Sequence, residues 1–146
     1  MRGNERENQV WQRVQQPPGE TGQKDLLLLH RQSMALAGIY RQLAGRLRGS
    51  AGELASQLYR QELESAAALL GLVRLRGGDG GSGKPPAPPA EGTMCLLRHC
   101  YARTRQVQGE YLARAVDPEA GPVFRTLAEN AQGRCARIAR MMGMLA

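Results

Sequence analysis

The sequence predicts an all-α fold, an antiparallel four-helix bundle. Three observations point there. The 146 residues are rich in Ala, Leu, Gln and Arg and poor in strand formers, with aromatics at only 4%, a balance that favours helices. Apolar residues recur at helical spacing in four segments. Those segments fall into two pairs, separated by a Gly- and Pro-rich stretch.

The length suits one domain with one core. Residues 1–23 are polar and contain Pro17-Pro18-Gly19. They are expected to form a flexible tail, with at most a weak helix around Trp11. The first helix is expected over 25–48, where Leu26, Leu29, Ser33, Leu36, Ala37, Tyr40, Ala44 and Leu47 share one side of a helical wheel. "RGS" ends it. The second helix, 51–75, opens with Ser50 as N-cap and Glu53 three residues on, the spacing of a capping box. "RGGDGG" stops it.

Residues 76–92 form a linker with a flexible Gly/Ser half and an extended Pro half. Each flank offers only two helices, too few to bury a core alone. The linker is therefore expected to be a long crossover within one bundle. The third helix, 93–116, carries Leu97, Cys100, Thr104, Val107, Tyr111 and Ala115 on one face. The fourth, 118–145, starts with Asp117 as N-cap and Pro118 in the first turn. Its stripe is Phe124, Leu127, Ala131, Arg134, Ile138, Met141 and Leu145.

The formal net charge is +7, and lysine occurs only at Lys24 and Lys84. A basic balance favours anionic partners. No aromatic residues interleave with the arginine patterns at 46–48, 74–76 and 134–140, so nucleic acid is disfavoured here. The three cysteines include no CxxC pair, which argues against a disulfide framework and for a reducing compartment. The longest run of large aliphatics is "LLLL" at 26–29, far short of a membrane span. The expectation is a soluble, cytoplasmic protein that does not enter membranes.

No Ser/His/Asp set and no zinc spacing is present. "GGDGGSGK" lacks the Ser or Thr that would complete a phosphate-binding loop, because Lys84 precedes proline. No catalytic or cofactor-binding residue is assigned.

One stretch resists a purely structural reading. "RQELESAAALLG", residues 60–71, places Glu62 on a face otherwise made of Leu54, Leu58, Ser65, Leu69 and Leu72. The chain also repeats itself at a shift near 70 residues. "QSMALAGIYRQLA" (32–44) lies over "RTRQVQGEYLARA" (103–115), matching Ser33 with Thr104, Gly38 with Gly109 and Tyr40 with Tyr111. For the second and fourth helices, Glu62 matches Ala131 and Ser65 matches Arg134.

This pattern resembles the ferritin-like superfamily in its rubrerythrin-type branch. The resemblance covers residues 24–146. It rests on the helix layout, both "GxY" segments and the "LYRQE" and "LAEN" regions. It implies two helix hairpins joined by a crossover. It further implies a di-metal centre held by a Glu seven residues before a Tyr on helices one and three, and by E-x-x-H on helices two and four. Iron or manganese would suit such a site.

Most ligand positions have been exchanged. Seven residues before Tyr40 and Tyr111 stand Ser33 and Thr104. The second motif reads "ELES", with Glu62 kept and Ser65 in place of His. The fourth reads "AQGR", with Ala131 and Arg134. Glu62 alone retains metal-ligand character. The reading that follows is a degenerate ferritin-like protein, a non-catalytic scaffold or binding module without a cofactor.

A buried Glu without a partner is costly or protonated, and a buried Arg keeps its charge. Glu62 and Arg134 are therefore expected to pair in the core, helped by Ser33, Ser65 and Thr104. Tyr40 and Tyr111 would stand beside the former metal site. The alternative is an iron- or manganese-dependent oxidoreductase using a shifted set from Glu62, His30, His99, Cys100 and Glu110. A further alternative is a basic bundle for nucleic acid. A homodimer is implied by the resemblance alone, and the sequence names no protein partner.

Cys95, His99 and Cys100 crowd one helix but straddle it. Cys100 and Cys135 read as small core residues. Gly38 and Gly109 suggest close helix approach. Arg137 and Arg140 are expected to face solvent near a helix C-terminus.

Overall fold

A computed structural model describes residues 20–79 and 84–146. Residues 1–19, including the expected helix at Trp11, and residues 80–83 of the linker lie outside it. The described residues form four α-helices and no strand, a helical bundle. We number them α1 (Gln23–Arg46), α2 (Gly49–Leu75), α3 (Thr93–Ala113) and α4 (Gly121–Leu145), with a 3-10 turn at Arg114–Val116.

The apolar spacing explains why each segment is helical. In α1, Leu26, Leu29, Ser33, Leu36, Ala37, Tyr40 and Leu43 are all buried, a stripe three to four residues apart that one helix face can bury against its neighbours. α1 packs along α2, and α3 along α4. The two pairs meet where α2 touches α4 and α1 touches α3.

The core has two apolar clusters. One gathers Leu26 and Leu29 of α1, Leu69, Leu72 and Val73 of α2, Val107 and Tyr111 of α3, and Phe124 and Leu127 of α4. The other gathers Leu36, Tyr40 and Leu43 of α1, Leu54 and Leu58 of α2, Leu96, Leu97 and Cys100 of α3, and Ile138 and Met141 of α4. Each large side chain buried in this way contributes about 1.5–3 kcal/mol. Between the clusters lie Ser33, Glu62, Ser65, Thr104 and Arg134, all buried.

The helix ends differ from the sequence expectations in instructive ways. α1 stops at Arg46, and a two-residue turn leads to Gly49, whose φ of +61° starts α2. The N-cap of α2 is therefore Arg48, with no side-chain cap. Ser50 is already inside the first turn, so the expected capping box does not form.

α2 ends in a Schellman motif. Gly77 at φ +83° lets its N–H reach the Arg74 carbonyl while the Gly78 N–H reaches that of Val73, satisfying carbonyls the helix leaves open. α3 tightens into 3-10 geometry after Ala113. α4 begins at Gly121 and not at Pro118. Asp117 still caps a turn, accepting from the backbone N–H of Glu119 at 3.0 Å and Ala120 at 2.9 Å. A methyl group at Gly121 would stand 2.5 Å from the Ala115 carbonyl oxygen. The connection into α4 is too tight there for any Cβ.

Gly38 does not serve helix–helix approach. Its open side faces Pro88 of the linker, 3.7 Å from where a Cβ would stand, and Gly109 has nothing within 4 Å. No helix of the described residues is long and apolar enough to cross a membrane.

Candidate functional site

The polar layer is built by one or two residues from each helix. α1 supplies Ser33 and, one cluster further on, Tyr40. α2 supplies Glu62 and Ser65, three residues apart and so on one face. α3 supplies Thr104, flanked by Cys100 and Tyr111. α4 supplies Ala131 and Arg134. All nine are buried.

The charged contact of this layer joins α2 to α4. Arg134 Nε lies 2.7 Å from Glu62 Oε2, with side-chain exposures of 1% and 0%. The same guanidinium donates through NH1 to Ser65 Oγ at 3.2 Å. Tyr40 OH and Thr104 Oγ1 share a hydrogen bond of 3.2 Å. The Nε–Oε2 approach is close but not aligned as a hydrogen bond. Neither carboxylate oxygen of Glu62 has a partner of full hydrogen-bond geometry, nor do Ser33 Oγ and Tyr111 OH.

The electrostatics follow from burial. Loss of water pushes the Glu62 carboxyl above its ordinary value, and Arg134 and then Ser33 pull it back without cancelling that rise. Ser33 thus acts on Glu62 through proximity, short of a well-aligned hydrogen bond. Arginine keeps its proton in a protein, so Glu62 is the counter-ion that makes Arg134 tolerable inside. Burial raises Tyr40 well above its usual value, with Glu62 adding to the effect. Tyr111 is pushed up to about 12, first by burial. The Cys100 thiol is also pushed up to about 12, by burial and by the Glu62 charge. These groups stay protonated at neutral pH.

This donor set does not fit a pair of divalent cations. Glu62 is its one carboxylate. Ser33, Ser65 and Thr104 offer neutral hydroxyls, Ala131 offers nothing, and Arg134 brings a positive charge to the place a cation would need. Hard divalent ions require several anionic or carbonyl oxygens. Among the described residues, no three His, Cys, Asp or Glu side chains gather as a metal site.

The shifted set is dispersed. His99 is on an exposed face of α3, lining a groove with Pro86, Pro88 and Pro89 of the linker. His30 is partly buried, and that burial lowers its pKa. Glu110 is partly buried on α3. Cys95 is exposed, whereas Cys100 and Cys135 are buried. Arg137 does not project freely into solvent, because its NH1 donates to Gln61 Oε1 at 3.2 Å. Arg140 is exposed.

A second buried charge was not visible in the sequence as more than a helix cap. Asp117 Oδ2 accepts from the Thr21 backbone N–H at 2.7 Å, and both its oxygens accept from Arg76 NH2, at 3.1 and 3.0 Å. Arg76 also pairs with Glu20, and its carbonyl accepts from Gln23 Nε2. Burial pushes the Asp117 carboxyl up. The backbone N–H groups of Ala120, Thr21 and Glu119, together with Arg76, outweigh this and hold it below the usual range. One carboxylate thus ties the start of α1, the end of α2 and the entry to α4. The partners are 41 and 96 residues away in the chain, so no local pattern announces them.

Comparison with protein-family models, with curated proteins and with solved structures finds no match.

Proposed function

We propose that this chain is a ferritin-like bundle that has exchanged a di-metal centre for a buried ion pair and serves as a non-catalytic scaffold or binding module. The observation that carries this reading is the Arg134 guanidinium beside Glu62, 2.7 Å away in the core. It supplies internally the positive charge that a metal would otherwise bring. In this reading α1–α2 and α3–α4 are two antiparallel hairpins, and residues 76–92 cross between them. The clusters support that arrangement, because the start of α1 meets the end of α2 and the end of α3. Three free thiols favour a reducing, cytoplasmic setting, and the resemblance adds a homodimer.

The test is metal stoichiometry. The protein, purified without a metal-affinity tag, is incubated anaerobically with ferrous iron or manganous ion, desalted and analysed for bound metal. Retention far below one ion per chain is expected. Near two ions per chain would overturn the reading in favour of a redox metalloprotein with a rearranged site.

A further inference from the structure

The fold sorts the charges of this chain in a way that the net value conceals. The polar layer divides the described residues into two halves, one around each apolar cluster. The half around Leu43, Leu58, Leu96 and Ile138 comprises residues 34–61, 84–103 and 134–146. With the mutually neutralised Glu62 and Arg134 of the dividing layer set aside, it holds nine Arg or Lys against two acids, Glu53 and Glu91. The other half, residues 20–33, 62–79 and 104–133, holds seven against eight. Arg41, Arg46, Arg48, Arg60, Lys84, Arg98 and Arg140 of the basic half are exposed. α2 and α3 begin at this end and α1 and α4 finish there, so the helix dipoles largely offset one another and the positive charge comes from the side chains.

We propose that this basic end binds the phosphate backbone of a double-stranded nucleic acid without reading its sequence. The chemistry favours phosphate. Six of the seven exposed cations are arginines, whose planar fork matches phosphate oxygens. The exposed large apolar residues Leu28, Leu75, Leu112 and Val116 all belong to the opposite half, leaving Met144 and Leu145 on the basic one. A protein interface needs an apolar centre, and an amphipathic membrane surface needs apolar groups to insert. A phosphate backbone needs neither, because counter-ion release drives the association. The cations come from all four helices, so composition alone could not reveal that they share one end of the bundle.

This inference rests on the binding-module reading above. The two fail separately: metal retention would overturn that reading through the core, whereas absence of duplex binding would overturn this one and leave the core untouched. The experiment is fluorescence anisotropy of the full chain with two labelled DNA duplexes of unrelated sequence. Equal affinity for both is expected, falling about 100-fold from about 50 mM to about 200 mM salt if about four phosphates are neutralised.

The variant carrying Arg41→Gln, Arg48→Gln, Arg98→Gln and Arg140→Gln should lose most binding, with the salt slope shallower by about three to four. All four side chains are exposed, and unchanged helical circular dichroism verifies its fold. Arg74→Gln with Arg125→Gln, on the other half, should bind as the parent does. Every variant keeps residues 1–19. No binding at low salt, undiminished binding by the four-site variant, or binding to phosphatidylserine vesicles without binding to duplex would each overturn the proposal.

Discussion

Replacing Glu62 by Leu should be among the most damaging single substitutions in this chain. It removes the counter-ion of a guanidinium that is 1% exposed and leaves Arg134 with the Ser65 hydroxyl at 3.2 Å. Arginine cannot escape by losing its proton. Breaking a buried pair in this way costs about 3–5 kcal/mol, about a fifth or more of the roughly 5–15 kcal/mol that holds a domain folded. The melting temperature should fall by about 10–20 °C.

Arg134→Met should be milder, about 2–4 kcal/mol at neutral pH, because burial already raises the Glu62 carboxyl and protonation can relieve its charge. The double variant Glu62→Leu/Arg134→Met should return to within about 1 kcal/mol of the parent or exceed it, since neither charge is then stranded. Urea unfolding followed by circular dichroism measures all three. A Glu62→Leu cost below about 1 kcal/mol, or costs that simply add in the double variant, would refute the reasoning. Either result would mean that the guanidinium reaches water.

Two other expectations concern titration and thiol access. Asp117 is depressed in the folded state, so it contributes stability above its ordinary value of 3.8, and that contribution is lost as pH falls through the lower folded value. Asp117→Asn should therefore lose about 1–3 kcal/mol near neutrality and show a flatter loss of urea midpoint toward about pH 3. Glu62 acts with the opposite sign. Its folded value is raised above 4.5, so its contribution declines as pH climbs from there through the folded value. Dithionitrobenzoate should label Cys95 rapidly in the native protein and all three cysteines only in denaturant, because Cys100 and Cys135 are buried. Rapid labelling of three native thiols would contradict the packing.

The sequence carried the helices and the polar layer because both follow from periodicity. Glu62 and Arg134 each fall inside an apolar stripe, and a stripe position implies a core position wherever the helices pack. Ends were harder to read. Ser50 has the composition of an N-cap, but the two-residue turn after Arg46 commits the chain to helix at Gly49 before Ser50 can cap anything. Asp117 has the composition of a cap too, and its larger role depends on Thr21 and Arg76, which only the folded chain brings near. Gly38 and Gly109 occupy equivalent places in the repeat, yet one meets the linker and the other faces open space, a difference that belongs to the connection and not to the helix.

The pair between α2 and α4 also bears on how uniquely the chain can fold. The two clusters are made mostly of Leu, Ala and Ile, residues that accept one another in many arrangements. Sliding α4 by one turn along α2 shifts it about 5.4 Å. Aliphatic groups would meet similar neighbours after such a slip, whereas Arg134 and Glu62 would both be left in hydrocarbon. The ion pair therefore excludes competing registers that the apolar core barely distinguishes, and it widens the gap between the native arrangement and its near copies. In the double apolar variant this exclusion disappears, and doubled backbone amide resonances would reveal the second register. A single set of resonances would mean that shape alone fixes it.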